Sequence, residues 1–183
     1  VLDETSYADA VEVVERYELD VPDAVSTHLE AGVEGAQAET PGKNDPSFDR
    51  TTNVVLVDGF DAIEAARDAV EARGFTPLVL SSLIRGEARE AGTFHVALAE
   101  ECRVTGNPVS PPAALISGGE TTVTVRGDGV GGPNQEFALA ASLELSATDI
   151  VVAAVDTDGI DGATDAAGAI VDSNTATPHA VAR

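Results

Sequence analysis

The N-terminal part of the chain shows helical periodicity and then a stretch without any. Apolar side chains recur with helical spacing over residues 7–17, and Ser6 precedes them as a plausible cap. A second helix is predicted over Asp23–Ala31, because Pro22 suits a helix start, where its missing N–H costs no hydrogen bond. Residues 34–51 collect Gly, Pro, Asn and Asp without periodicity, which predicts a surface connection.

Beyond this connection, short apolar runs alternate with helical stretches. The pattern predicts buried strands over Asn53–Val57 and Pro77–Ser81, and helices over Ala62–Arg73 and Gly86–Val104, the second of which is ended by Gly106-Asn107-Pro108. Strands and helices that alternate at this spacing indicate parallel pairing through helical crossovers.

From Ala113 onwards, the pattern predicts a hairpin and therefore antiparallel pairing in the same sheet. The strands of the hairpin are expected on either side of Gly118-Gly119-Glu120. The predicted elements are strands Ala113–Ser117 and Thr121–Arg126, helix Pro133–Leu145, strand Asp149–Val155 and helix Ala163–Val171. The fold class is therefore α/β, with a mixed sheet flanked by helices.

Charge and composition exclude several classes of function. The chain carries 32 Asp and Glu against 10 Lys and Arg, a formal charge of −22, which disfavours nucleic acid and anionic membranes as partners. No apolar run approaches the ~20 residues that cross a bilayer. Cys102 is the sole cysteine, which excludes an internal disulfide and a Cys-rich metal site and fits a reducing cytoplasm.

Several common catalytic motifs are absent. Lys43 lacks the glycine spacing of a Walker A loop, and no Gly-x-Ser-x-Gly elbow occurs. His28, His95 and His179 lack the spacing of metal ligands, so we expect each to face solvent or to cap a helix.

A glycine-rich loop precedes the helix predicted at Pro133. Residues 127–132 match G-x-G-x-x-G, and Asp149 and Asp156 stand near the distance of a ribose-binding acid, so a dinucleotide site is one hypothesis. The strand before the loop is predicted to belong to a hairpin, which argues against that hypothesis. A broader hypothesis is an anion site formed by N–H groups at the helix start, those of Asn134, Gln135 and Glu136. A capped helix after a glycine turn explains the same residues.

Two further clusters end predicted strands. Residues 117–122 (SGGETT) place two glycines among hydroxyl groups and one carboxylate, which suits a backbone nest for a phosphate, although a hairpin turn accounts for the glycines. Residues 156–162 (DTDGIDG) place three carboxylates close together, which suggests a divalent cation, with Asx turns as the alternative. Between Val104 and Ala182 only Arg126 is basic, so bound phosphates would need positive charge from Mg²⁺ or from elsewhere.

Taken together, these segments resemble the glycerate 2-kinase family, whose C-terminal part is called the MOFRL domain. The resemblance rests on residues 117–125, 131–140 and 156–169, in this order and with similar spacing. Residues 5–10 resemble the stretch where the family's N-terminal domain ends. The resemblance implies that residues 1–51 are the end of that domain and a connection, and that residues 52–183 are a MOFRL-like α/β domain. The chain would then be part of a longer enzyme and lack most of its N-terminal domain.

The function that this resemblance implies is ATP- and Mg²⁺-dependent phosphorylation of D-glycerate to 2-phosphoglycerate in the cytoplasm. Its partners would be the two small molecules and the missing domain, and a homodimer stays open. Because the catalytic Lys is expected in that domain, we expect this chain alone to be inactive.

The resemblance also assigns site residues. Catalytic roles fall on Asp156, Asp158 and Glu136, and a Mg²⁺ site falls on Asp158 and Asp161. The implied substrate- and nucleotide-binding residues are Ser117, Gly118, Gly119, Glu120, Thr121, Arg126, Gly131, Gly132, Asn134, Gln135, Thr157, Gly159 and Gly162.

One departure from the family pattern concerns positive charge. Pro133 stands where the family usually has Arg, and Arg126 is the residue expected to compensate. Two alternatives stay open: an NAD(P)H-dependent hydroxypyruvate reductase, against which the lack of His or Lys near residues 127–132 counts, and a non-catalytic MOFRL-like binding module.

The composition also predicts adaptation to concentrated salt. Lys43 is the only lysine, carboxylates are dense, and the apolar residues are mostly Ala and Val. At molar ionic strength the Debye length is only ~3 Å, so repulsion among the carboxylates is suppressed. We therefore expect the thermal unfolding midpoint to be higher in 2 M KCl than in 0.1 M KCl. Equal midpoints in differential scanning calorimetry would rule out this adaptation.

Overall fold

The computed structural model describes residues 3–176, which divide into two compact units at Val55 and Leu56. The first unit contains helices α1 (Tyr7–Arg16) and α2 (Asp23–Val33), so both predicted N-terminal helices are confirmed. Ser6 caps α1 in a reciprocal box with Asp9, because each side chain accepts from the other residue's backbone N–H. The connection that follows carries one 3₁₀ turn at Pro46–Phe48.

The described residues of the second unit, 56–176, form three helices and four strands. In chain order they are α3 (Gly59–Glu71), β1 (Thr76–Glu87), α4 (Ala88–Thr105), β2 (Ala113–Thr122), α5 (Pro133–Glu144), β3 (Val152–Val155) and β4 (Gly168–Val171). The predicted end of the α4 helix at Gly106 is confirmed, because this residue takes the left-handed conformation that closes a helix. Within residues 3–176, no helix has both the length and the apolar character that crossing a membrane requires.

A parallel pair of strands lies between two helices. β1 and β2 are joined by α4 and pair in parallel, which confirms the predicted crossover. Neighbouring residues of a strand face opposite sides of its sheet. Gly118 of β2 faces Ile63 of α3, whereas Ser117 contacts His95 of α4, so the two helices cover opposite faces.

The second pair of strands is antiparallel and packs against α5. β3 and β4 pair in register from Val152 with Val171 to Val155 with Gly168. The α/β class is confirmed, but the two strand orientations occur in separate two-stranded sheets among the described residues. A buried cluster lies where α4, α5 and this second sheet meet; its buried members are Val96, Ala138, Ala141, Leu145 and Val171.

The predicted hairpin around Gly118-Gly119-Glu120 is wrong, because β2 runs through these residues without turning. Gly119 has φ +152° and pairs with Ile84 of β1, and a Cβ at this position would overlap the Ile84 backbone. The glycines therefore allow a close approach between strands rather than a reversal of the chain.

Two other predicted elements are also wrong. Residues 53–57 form no strand; the side chains of Val54, Val55, Leu56 and Val57 are 69–87% exposed, and no described strand pairs with them. Residues 163–171 form no helix: they are a turn followed by β4, in which Ile170 and Val171 suit pairing with β3. In both cases the apolar pattern was compatible with more than one element, and the availability of a partner strand decided the outcome.

The contact between α4 and α5 depends on a glycine. A Cβ at Gly92 would overlap the carbonyl oxygen of Phe137, which is backbone and cannot rotate away. We expect Gly92→Ala to lower the free energy of unfolding, because overpacking costs about 1–3 kcal/mol and the gain in helix propensity is at most about 1 kcal/mol.

Gly59→Ala is the matched control, because Gly59 begins α3 and a Cβ added there would meet nothing within 4 Å. Denaturant unfolding of both variants in 2 M KCl measures the difference. Equal free energies of unfolding for the two variants would contradict the prediction, because α4 and α5 would then accommodate the added methyl group without loss of stability.

Candidate functional site

The two loops singled out in the sequence meet at a buried carboxylate. Asp161 is 0% exposed and lies at the N-terminus of α5. Its Oδ1 accepts hydrogen bonds from the Asn134 backbone N–H at 3.0 Å and from Asn134 Nδ2 at 3.2 Å, and its Oδ2 accepts from the Gln135 N–H at 2.8 Å. Gln135 Nε2 also donates to Thr164 Oγ1 at 3.0 Å. The loop of residues 156–162 therefore caps α5 with a full charge.

Two glycines permit this contact. A Cβ at Gly132 would come within 2.5 Å of the Asp161 carboxyl group. Gly162 has φ +64°, and a Cβ there would overlap the carbonyl oxygen of Gly131. These glycines, for which the family resemblance implied ligand binding, are required for packing one loop against the other.

Hydrogen bonds keep Asp161 ionised. Burial raises the pKa of this carboxyl, but the hydrogen bonds from Asn134 and Gln135 together lower the pKa by more than burial raises it. The pKa of Asp161 therefore lies below the ordinary value. The positive end of the α5 dipole acts in the same direction. Asp161 thus carries a negative charge at neutral pH inside the protein.

The N–H donors of the anion site predicted at the start of α5 already have partners within the protein, which favours the capped-helix alternative. The N–H groups of Asn134 and Gln135 bind Asp161, and the N–H of Glu136 donates to the Gly132 carbonyl at 2.9 Å. An external anion would have to displace the protein's own carboxylate.

The donor set of Asp161 also fits a Mg²⁺ ligand poorly, because both of its oxygens face N–H donors. Among residues 3–176, no three His, Cys, Asp or Glu side chains are grouped as metal ligands. Asp158 is exposed and accepts from the Ile160 N–H at 2.9 Å, and Asp156 is half-buried. Oxygen donors of this kind suit Mg²⁺ that is completed by water and phosphate. Thr157 and Gly159 lie in the same exposed turn.

Glu136 has a partner that the sequence did not reveal. Its Oε1 accepts from Arg89 of α4, at 3.0 Å from Nε and 2.6 Å from Nη2. Arg126 is the only Lys or Arg between Val104 and Ala182, but packing of α4 on α5 brings the guanidinium of Arg89 to the candidate site. No local sequence signal links residues 47 positions apart.

The end of β2 forms a separate part of the candidate site. Glu120 is exposed, and Thr121 pairs with Gly86 of β1. Further on, Thr124 donates from its N–H and Oγ1 to Glu87; these bonds are the main reason that the pKa of Glu87 is lowered, and the charge of Arg126 adds to the effect. Within the described residues, no hydrogen bond joins Ser117–Thr121 to the loops at α5.

His95 connects this strand end with α5, and the expectation that it faces solvent or caps a helix is wrong. It is 9% exposed, its Nε2 lies 2.8 Å from Ser117 Oγ, and its ring meets that of Phe137 edge-on. A usable signal was its position on the buried stripe of α4, which includes Ala88, Gly92 and Val96. The prediction for His179 lies outside the described residues.

The topology around residues 127–132 does not match a dinucleotide-binding unit. In such a unit, the helix after the glycine loop leads to a strand parallel to the one before it. Here α5 leads to β3, whose partner among the described residues is β4, in antiparallel orientation.

Asp161 provides a test of this arrangement. Because its folded-state pKa is lowered, its contribution to stability is complete above the unfolded-state pKa of about 3.9 and is lost as the pH falls through the lower folded value. We expect Asp161→Asn to cost about 1–3 kcal/mol at neutral pH, because it leaves buried donors unmatched. We also expect the variant to lose less stability than the wild type below about pH 4.

The control is Asp165→Asn, an exposed carboxylate four residues away. Urea unfolding in 2 M KCl at pH 7 and across the acid range would compare the variants. If Asp161→Asn behaved like Asp165→Asn throughout, the cap would not contribute to stability.

The chain is similar to known proteins over the segments just described. Residues 113–182 match the MOFRL family. A glycerate 2-kinase from Pyrococcus horikoshii is 39% identical over 96% of the chain, and a protein from Agrobacterium vitis, named provisionally as a hydroxypyruvate reductase, is 39% identical over 93%. The crystal structure of a glycerate kinase from Thermotoga maritima superposes with a TM-score of 0.63, at 34% identity, over 93% of the chain and 39% of that structure.

The chain spans 40% of the length of the Pyrococcus relative and 38% of the Agrobacterium relative. Its similarity to them nevertheless extends through almost all of its own residues, and the three motif segments lie within the aligned part. The chain is therefore similar, over almost all of its length, to one part of glycerate 2-kinases, and residues 113–182 are its MOFRL-family region.

Proposed function

We propose that this chain is the MOFRL-containing part of a cytoplasmic kinase that transfers the γ-phosphate of ATP to D-glycerate and yields 2-phosphoglycerate. The observation that carries the proposal is the 39% identity to a glycerate 2-kinase over 96% of the chain. Fold alone would not suffice, because one fold supports many chemistries. The remainder of the active site lies in the longer polypeptide, with D-glycerate and ATP bound between its domains.

The two carboxylates at the start of this loop are the groups that we assign to chemistry. Asp156 and Asp158 lie where Asp161 anchors the loop; Asp158 is exposed and Asp156 is half-buried. We assign to Asp156 acceptance of the proton from the attacking glycerate hydroxyl. Asp158 would hold Mg²⁺ together with nucleotide phosphates; the bound ion would neutralise charge on the transferred group.

Glu136 is the third group, and Arg89 fixes its position. Both bonds from Arg89 go to Oε1, which leaves Oε2 as an acceptor for substrate. Arg89 also supplies positive charge in a region otherwise rich in carboxylates, as phosphoryl transfer requires. Arg126, whose charge acts on Glu87, would add further positive charge. Ser117, Gly118, Gly119, Glu120 and Thr121 would contact substrate at the end of β2.

The test uses the complete polypeptide in about 2 M KCl, with ADP release measured on D-glycerate and Mg-ATP. We expect glycerate-dependent ADP release, none from residues 1–183 alone, and 2-phosphoglycerate as the product. We also expect Asp156→Asn and Glu136→Gln each to lower turnover at least about tenfold, because each removes a catalytic or positioning carboxylate.

Asp165→Asn serves as the matched control and should retain wild-type turnover. Oxidation of NADH with hydroxypyruvate, measured in parallel, distinguishes the reductase. NADH oxidation without ADP release would overturn the kinase proposal, and no turnover of either kind would favour a binding module. Wild-type rates in both carboxylate variants would remove those residues from the site.

A further inference from the structure

A buried histidine contacts a hydroxyl group at the proposed substrate site. His95 stands in the middle of α4, which crosses between β1 and β2. Its Nδ1 lies 2.7 Å from the carbonyl oxygen of Ala91, and its Nε2 lies 2.8 Å from Ser117 Oγ. The aromatic rings of Phe94 and Phe137 meet the imidazole edge-on.

The chemistry of the two partners fixes the tautomer of the neutral ring. A carbonyl oxygen only accepts hydrogen bonds, so the proton on the imidazole belongs on Nδ1. Nε2 is then an acceptor, and the Ser117 hydroxyl must donate to it. The Ser117 proton is thus directed into the protein, and only the lone pairs of Oγ remain for a ligand.

Ser117 itself is held firmly in place. It pairs with Ser81 of β1, and the next residue, Gly118, packs against Ile63 on the opposite face. Two residues along, Gly119 lies against the backbone of Ile84. The hydroxyl therefore has a fixed position as well as a fixed direction, because strand pairing sets the backbone and His95 sets the rotation about Cβ–Oγ.

We propose that His95 is a positioning residue that holds Ser117 as a hydrogen-bond acceptor, so that Ser117 recognises a hydroxyl group of the substrate rather than a carboxylate or phosphate oxygen. The proposal rests on the proposed function for the presence of a hydroxy acid at this strand end. The direction of the hydrogen bond between Ser117 and His95, by contrast, does not depend on the proposed function. An acceptor without a proton discriminates between ligands, because anionic oxygens have no hydrogen to offer it.

The first experiment measures the tautomer on residues 1–183 and needs no activity. Long-range ¹H–¹⁵N correlation spectra of the imidazoles should show a neutral His95 protonated on Nδ1. Ser117→Ala should shift the His95 Nε2 resonance, whereas His28, which contacts Tyr7, should stay unchanged and serves as the internal reference. Protonation of the neutral ring on Nε2, or no response to Ser117→Ala, would overturn the proposal.

The second experiment measures kinetics in the complete polypeptide. His95→Phe keeps an aromatic ring against Phe137 but removes both nitrogens. We expect it to raise the KM for glycerate about tenfold with a smaller change in kcat, because it frees the Ser117 hydroxyl to rotate. His95→Gln, which can restore a polar partner for Ser117, should recover part of this loss, and the KM for ATP should not change in either variant.

The double variant separates positioning from general damage to the fold. If His95 acts through Ser117, His95→Phe combined with Ser117→Ala should be no worse than Ser117→Ala alone. Additive effects, or an unchanged KM in Ser117→Ala, would overturn the proposal. If the wild type phosphorylated no glycerate, the proposed function would fail, and the spectroscopic result would still decide the direction of the bond.

Discussion

The charged cap that Asp161 places on α5 is the contact on which the rest of the C-terminal unit depends. A carboxylate removed from water is costly unless donors replace its hydration, and a helix N-terminus offers such donors together with a favourable dipole. The cap fixes where α5 begins and how it is oriented. From this start, α5 carries Glu136 towards Arg89, Phe137 towards His95, and Ala138 and Ala141 into the buried cluster.

The cap also gives three closely spaced carboxylates different environments. Asp156, Asp158 and Asp161 would repel one another if all three were exposed on one loop. The N–H groups at the start of α5 compensate the charge of Asp161 and anchor the loop, while Asp158 remains exposed and Asp156 half-buried. A rigid buried end and an accessible end on the same loop are what a catalytic or metal-binding loop requires. The glycines on both sides serve the anchoring, because their missing side chains allow the two loops to touch.

Much of the fold followed from local signals. Helical periodicity, the Ser6 cap and the glycine at position 106 located α1, α2 and α4, and the alternation of elements indicated the parallel pairing of β1 with β2. The errors share one cause. Gly118-Gly119 is compatible with a turn or with a close approach of strands, and residues 53–57 and 163–171 have patterns that do not specify a partner. A strand exists only where another backbone accepts its hydrogen bonds, and the sequence around it does not contain that information.

The candidate site shows the same contrast between local sequence signals and tertiary contacts. The sequence by itself determined which segments resemble the motifs of one family, since glycines, hydroxyls and carboxylates stand together at the ends of predicted strands. Only the tertiary structure decided which of these groups face inward: Asp161 became a helix cap, Glu136 gained Arg89, and His95 reached Ser117. These pairs are separated by 22 to 47 positions along the chain. Their contacts arise from helix packing and strand pairing, which place residues by distance in space, whereas sequence motifs report only distance along the chain.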